Sequence, residues 1–227
     1  MRVSRWRSRA AASVTAVVLT AAAVIASVAP SAASAPARSP AVRTLPAAAA
    51  PPQHLGAEAH LSNVDYATWQ RDVAAVVATA RPYIEQRTSG PSDEKHALVL
   101  DIDNTSLETD FHDFWEYPTP AVKPILDLSR FAASRDVDVF FVTARPGIIE
   151  SLTEYNLRKV GYPVSEVYTR SLPDLFEEVS AYKTDMRADI EGDGYTIIAN
   201  IGNRSSDLVG GHAERTFKLP DYGGQLS

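Results

Sequence analysis

The spacing of apolar positions changes near residue 95. Before it, Tyr66, Trp69, Val73, Val76, Val77 and Ala80 recur every three or four residues, which predicts a helix laying one apolar face on the domain. Ser62 with Asp65 three residues on is a candidate N-terminal cap signature. Pro82 is expected to break or kink this helix, because proline has no N–H for the bond one turn back. Beyond residue 95, short unbroken apolar runs take over, at residues 97–100, 137–142 and 195–201, with a shorter one at Val167 and Tyr168 and an edge strand expected at 215–219. Between them lie stretches of helical character: 125–135 opened by Pro124, 148–160 closed by Gly161, and 184–191 closed by glycines at 192 and 194.

Continuous apolar strands alternating with helices predict an α/β domain, a mostly parallel sheet with helices on both faces. In such folds ligands bind beyond the carboxyl ends of the strands. The polar residues gather there: Asp101 and Asp103 after the first run, Thr143 and Arg145 after the second, Asn203 and Asp207 after the last. No long insert is visible, so a cap over the site is expected to be minimal or missing.

Composition changes the picture mainly at the amino end. Arg2, Arg5, Arg7 and Arg9 precede a charge-free, alanine-rich apolar run, which is followed by Ala33-Ser34-Ala35. A basic region, an apolar core and a small-x-small site predict a signal peptide over residues 1–35, with an uncleaved membrane anchor as the alternative. Residues 36–58, rich in alanine and proline, read as a linker, and 59–227 as the folded domain. The expected location is extracytoplasmic or secreted, with no stable membrane association after cleavage. Cleavage lowers the basic count from 22 to 18 against 28 acids, a formal charge of −10. That balance argues against nucleic acid as a partner. With no cysteine, disulfides, thiolate catalysis and zinc–cysteine sites are excluded. Nothing in the pattern assigns an oligomeric state.

In Asp101-Ile102-Asp103-Asn104-Thr105 two carboxylates stand two residues apart just past a strand, on the same side if the chain stays extended. Like charges that close need a shared cation or proton, and a hard, oxygen-lined site suits Mg2+. The segment resembles the first motif of the haloacid dehalogenase-like (HAD) phosphatases. Val142-Thr143-Ala144-Arg145 resembles the second, Tyr182-Lys183 the third, and Ile201-Gly202-Asn203-Arg204-Ser205-Ser206-Asp207-Leu208 the fourth. Asn156-Leu157, Gly161-Tyr162 and the stretch around Trp69 and Asp72 are similar to the class B-type acid phosphatase branch, subfamily IIIB, with its plant storage-protein relatives.

The resemblance implies a Rossmann-like HAD fold and a phosphomonoesterase working through an aspartyl-phosphate. Asp101 would be the nucleophile, Asp103 the general acid and base, and Lys183 the neutralising cation. Thr143, Arg145 and Thr105 would bind the substrate, and Mg2+ would sit on Asp101, Asp103, Asn203 and Asp207. The family's fourth motif usually has Gly-Asp where Asn203 here follows Gly202, which removes one negative charge from the site and implies weaker magnesium binding. The expected activity is that of an acid phosphatase on small phosphomonoesters. Two alternatives stand beside it: a non-catalytic phosphate- or metal-binding protein on the same scaffold, and a narrower nucleotide phosphatase. In the second, the aromatic stretch of residues 111–117 would recognise a base; that stretch reads equally as a satellite core.

Overall fold

The structure is a computed structural model that describes residues 63–113 and 115–226, and its first element is helix α1 (Tyr66–Arg87). The signal peptide at 1–35, the linker at 36–58, Ser62 of the cap signature and Phe114 of the aromatic stretch lie outside the described residues. Asp65 itself caps α1, its side chain accepting the N–H of Thr68 at 2.8 Å. The expected break at Pro82 does not occur: α1 continues to Arg87. Pro82 and Ala78, whose carbonyl it leaves without a helical partner, both lie on the exposed face, where water can satisfy that oxygen.

After α1 come β1 (Lys95–Leu100), α2 (Lys123–Ala133), β2 (Val137–Pro146), α3 (Glu150–Val160), β3 (Glu166–Arg170), α4 (Val179–Gly192), β4 (Tyr195–Gly202), the single-turn α5 (Ser205–Leu208) and β5 (Thr216–Lys218). All four strand pairings are parallel, and the order across the sheet is β3-β2-β1-β4-β5. Two elements run further than their apolar runs. β2 continues to Pro146, which pairs with Arg170 of β3, and α4 begins five residues early, capped by the Glu178 side chain on the N–H of Ala181. Gly161 ends α3 in the left-handed region at φ 100°, as its place in the sequence predicts.

The alternation of side chains along each strand builds two cores. Leu98 and Leu100 of β1, with Val139 and Phe141 of β2, face Trp69 and Ile84 of α1, Ile125 and Leu128 of α2, and Leu157 of α3. Ala97 and Val99, with Phe140 and Val142, face Tyr182 and Ile190 of α4. Each large side chain so buried contributes about 1.5–3 kcal/mol. The first core continues past the carboxyl ends of the strands through Ile102 and Leu107 after β1 and Leu219 and Leu226 after β5.

The chain leaves β1 for β2 and β3 on one side, and α4 then returns it to β4 on the other. This reversal opens the crevice between β1 and β4. Leu100 is level with Phe141 and with Ile201, and the Asp101 N–H donates to the Ile201 carbonyl at 3.0 Å. The residues that follow β1, the end of β2 and β4 therefore reach one level. The longest strand-to-helix connection, residues 101–122, carries a 3-10 turn at Thr109–Phe111 and two isolated bridges that pair Leu107 with Asp103 and with Ala121. Its aromatic stretch divides. Phe111 stacks on Trp69 with ring centres 4.3 Å apart, as satellite core. Trp115 and Tyr117 are exposed, with Tyr117 stacked on Tyr155 of α3 at 6.0 Å.

Candidate active site

Lys183, from the second turn of α4, reaches over the end of β1. Its ammonium donates to Asp101 Oδ1 at 2.6 Å and to Asp207 Oδ1 at 2.7 Å. All three residues are buried. Burial pushes the Asp101 carboxyl up to about 6; Lys183 partly offsets this, while Asp207 and Asp103 add repulsion. Burial lowers Lys183, but the attraction and hydrogen bonds of the two carboxylates outweigh it, and its ammonium ends above its ordinary value. Lys183 therefore stays charged, and holds Oδ1 of Asp101.

Asp103 is half-exposed and clamped by Arg145 in a two-point ion pair, Nη2 to Oδ1 at 2.7 Å and Nε to Oδ2 at 3.0 Å. Thr109 donates to Oδ1 at 3.0 Å, and Arg145 also donates to Thr153 of α3 at 3.3 Å. The turn that lets Asp101 and Asp103 face one crevice depends on Asn104, which takes φ 55° and accepts the Asp110 N–H at 2.9 Å. Ser106 donates to the Asp101 carbonyl at 2.6 Å.

Thr143 is fully buried at the end of β2; its oxygen accepts the N–H of Arg145 at 3.2 Å, which leaves the hydroxyl proton to donate. Thr105, expected to bind the substrate, meets the fourth motif. Its hydroxyl oxygen accepts the Asn203 N–H at 3.1 Å and so ties the first motif to the fourth. Asn203 is buried, its carboxamide lying 3.4 Å from the Leu226 carbonyl through Nδ2 and 3.4 Å from the Thr105 hydroxyl through Oδ1. Asp207 has both oxygens engaged: Oδ1 by Lys183, and Oδ2 by the Arg204 N–H at 2.7 Å. The close packing here needs Gly202, since a Cβ at that position would fall 2.3 Å from the Cβ of Asp207.

The eight residues singled out in the sequence thus gather in one place, around the crevice between β1 and β4. Sequence reasoning missed Thr109, Ser106, Asn200 and Arg187, which hold the others. Only the Lys183–Arg187 spacing, one helical turn, offered a signal. As a magnesium site the donor set is entirely oxygen: Asp101, the backbone carbonyl of Asp103, Asn203 and Asp207. Among the described residues no group of three or more His, Cys, Asp or Glu converges on one cation position.

The site is a lysine-bridged aspartate pair at the switch point of an open parallel sheet, and the protein is of the α/β class. Residues 19–225 match the model of HAD superfamily, subfamily IIIB (acid phosphatase), and the chain belongs to that family. It is 32% identical over 137 residues to the stem 28 kDa glycoprotein of Glycine max, covering 58% of this chain and 52% of the relative. It is 28% identical over 156 residues to acid phosphatase 1 of Solanum lycopersicum, covering 67% and 56%. The chain spans about half the length of the curated relatives it matches. Among solved structures, the class C acid phosphatase from Bacillus anthracis superposes with a TM-score of 0.57 at 16% identity, covering 70% of this chain and 80% of that one. A second structure of that enzyme, with tungstate bound, gives a TM-score of 0.55 at 16% identity. The fold is therefore the expected one.

Proposed function

We propose that this protein is an exported, magnesium-dependent acid phosphatase that hydrolyses small phosphomonoesters through a phosphoaspartate on Asp101. The observation that carries the reading is the Lys183 bridge, which holds Oδ1 of Asp101 and does not take up Oδ2. Membership of the acid phosphatase subfamily supports it, and the basic, apolar, small-x-small order of residues 1–35 supports export.

In the first step Asp101 Oδ2 bonds to phosphorus as the ester P–O bond breaks. The leaving oxygen keeps that electron pair and takes a proton from Asp103. In the second, Asp103 as a carboxylate takes a proton from water, the water oxygen bonds to phosphorus, and the Asp101–phosphorus bond breaks to release phosphate. Lys183 offsets charge on Asp101 and the phosphoryl oxygens, and Thr143 donates its hydroxyl proton to one of them. Arg145 orients Asp103 in the free site, and an arriving phosphoryl group presents competing oxygens to the same guanidinium. A bound Mg2+, held by Asp101, the Asp103 carbonyl, Asn203 and Asp207, would supply Lewis-acid charge against the negative phosphoryl group.

The test is to quench the enzyme with acid during turnover and reduce any acyl phosphate with borohydride. Conversion of residue 101 to homoserine, read by peptide mass spectrometry, is the expected result; turnover without it would overturn the covalent step. A second reading, a non-catalytic phosphate- or metal-binding protein, is favoured by Asn203, which withholds a negative charge from the site. It requires magnesium or phosphate binding with no turnover between about pH 4 and 8, the range over which carboxylate and histidine groups titrate.

A further inference from the structure

Lys183 is not the only cation that α4 sends to the fourth motif. Arg187 lies one turn further on, on the same face of the helix, and is 1% exposed. Its guanidinium meets no carboxylate among the described residues. Instead Nη1 donates to the backbone carbonyl of Asp207 at 2.8 Å, Nε to that of Gly211 at 3.0 Å, and Nη2 to the Val209 carbonyl and to the Thr184 hydroxyl oxygen at 3.3 Å. Asn200 of β4 donates to the same Asp207 carbonyl at 2.9 Å. The turn after α5 is pressed onto α4 so closely that a Cβ at Gly210, where φ is +89°, would lie 2.0 Å from Thr184 Oγ1.

Burying a guanidinium is costly unless its donors are satisfied. An apolar side chain of equal length would fill the space without that cost, but would take the Arg187 donor from the Gly211 carbonyl and leave the Asp207 and Val209 carbonyls only the side chains of Asn200 and Thr184. Packing therefore does not account for an arginine here; fixing the backbone of residues 207–211 does. Asp207 is then held from two sides by one helix, its carboxylate by Lys183 and its main chain by Arg187.

We propose that Arg187 is a positioning residue for the Asp101–Lys183–Asp207 bridge, fixing the main chain of Asp207 so that its carboxylate keeps the Lys183 ammonium on Asp101. The catalytic arm of the test rests on the proposed phosphatase reading; the spectroscopic arm does not. The full chain would be compared as wild type, Arg187→Met, Arg187→Lys and Ile190→Ala. The last is a control in the same helix whose buried side chain packs in the α4 core. In metal-free protein, a buried, doubly bonded ammonium gives a protected nitrogen-15 signal for Lys183. Arg187→Met is expected to lose it and, with p-nitrophenyl phosphate, to lower kcat by about 10- to 100-fold with a smaller change in KM. Arg187→Lys recovers part of both, and folded Ile190→Ala keeps both. Wild-type signal and kcat in folded Arg187→Met would overturn the proposal, as would equal losses in Ile190→Ala. If Arg187→Met does not fold, Arg187→Lys decides, with a shifted signal expected and an unaltered signal and kcat contradicting. A wild type without turnover would sink the phosphatase reading alone, and the nitrogen signal would then judge Arg187.

Discussion

Asn203 shows how a single residue serves two demands. Its buried carboxamide turns Nδ2 toward the Leu226 carbonyl at 3.4 Å, an arrangement that needs a donor. An aspartate there would set a carboxylate oxygen against a carbonyl oxygen, and would add a negative charge to the site. Asn203→Asp is therefore expected to lower the melting temperature of the metal-free protein and to tighten magnesium binding by at least about tenfold, since a charge at contact range is worth several kcal/mol before desolvation. A calorimetric magnesium titration alongside a thermal melt checks both; binding that does not tighten contradicts the metal-ligand role. The candidate residues at the strand ends were legible in the sequence because each follows an apolar run, and the ends of parallel strands meet; Lys183, inside α4, was legible only through the resemblance of its motif. Arg187, Thr109 and Ser106 were not, because a polar residue on a helix or in a connection reads as solvated until the element it faces is known. Thr105 was legible as part of the motif, yet its commitment to Asn203 depends on β4 lying beside β1.

At the scale of elements, the connection that carries Asp101, Asp103 and Thr109 is anchored by a buried carboxylate. Glu108 accepts from the Tyr66 hydroxyl at 2.9 Å, from Gln70 at 2.7 Å and from His112 Nε2 at 3.0 Å, while His112 Nδ1 meets Glu116 at 2.7 Å. Partial burial lowers the His112 imidazole, but its bonds to Glu116 and Glu108 prevail and raise it above its ordinary value. A histidine raised on folding contributes stability that is full below its unfolded pKa, about 6.5, and fades as pH climbs through the folded value. The stability gap between wild type and His112→Gln should thus be largest in acid and shrink above neutrality. A gap that does not vary with pH would contradict the charged pairing. Element ends were harder to read than element types. Pro82 sits harmlessly on the outer face of α1, β2 outruns its apolar stretch because Pro146 finds Arg170, and α5 is too short to show a period. The early start of α4 matters most, since it places Lys183 inside a helix with a fixed direction.

Across the whole molecule, the alternation of apolar runs and helices was enough to predict a parallel sheet covered on both faces, but not the order of its strands, which non-local pairing sets. Nor did it show where exposed apolar side chains would collect. Trp115, Tyr117, Ile148, Tyr155, Leu172 and Phe176, all exposed, lie on segments that leave the carboxyl ends of β1, β2 and β3. The Tyr117 hydroxyl donates to the Leu152 carbonyl, next to the Thr153 that holds Arg145. A mouth of this character should favour esters of flat, apolar alcohols, so that p-nitrophenyl phosphate is expected to be cleaved with a lower KM than glycerol phosphate. Tyr117→Ser should narrow that difference severalfold, since an aromatic contact is worth about 0.5–1.5 kcal/mol; equal KM values in the wild type would contradict this role for the rim. In the proposed reaction Asp101 performs phosphomonoester hydrolysis at a lysine-bridged site. Its most direct test is the rate of p-nitrophenyl phosphate hydrolysis by the purified protein, with magnesium and with chelator, in wild type and in Asp101→Asn, which leaves Lys183 paired with Asp207 and so preserves the fold. Turnover that needs magnesium and disappears in Asp101→Asn is the predicted result; turnover that persists in folded Asp101→Asn would contradict it.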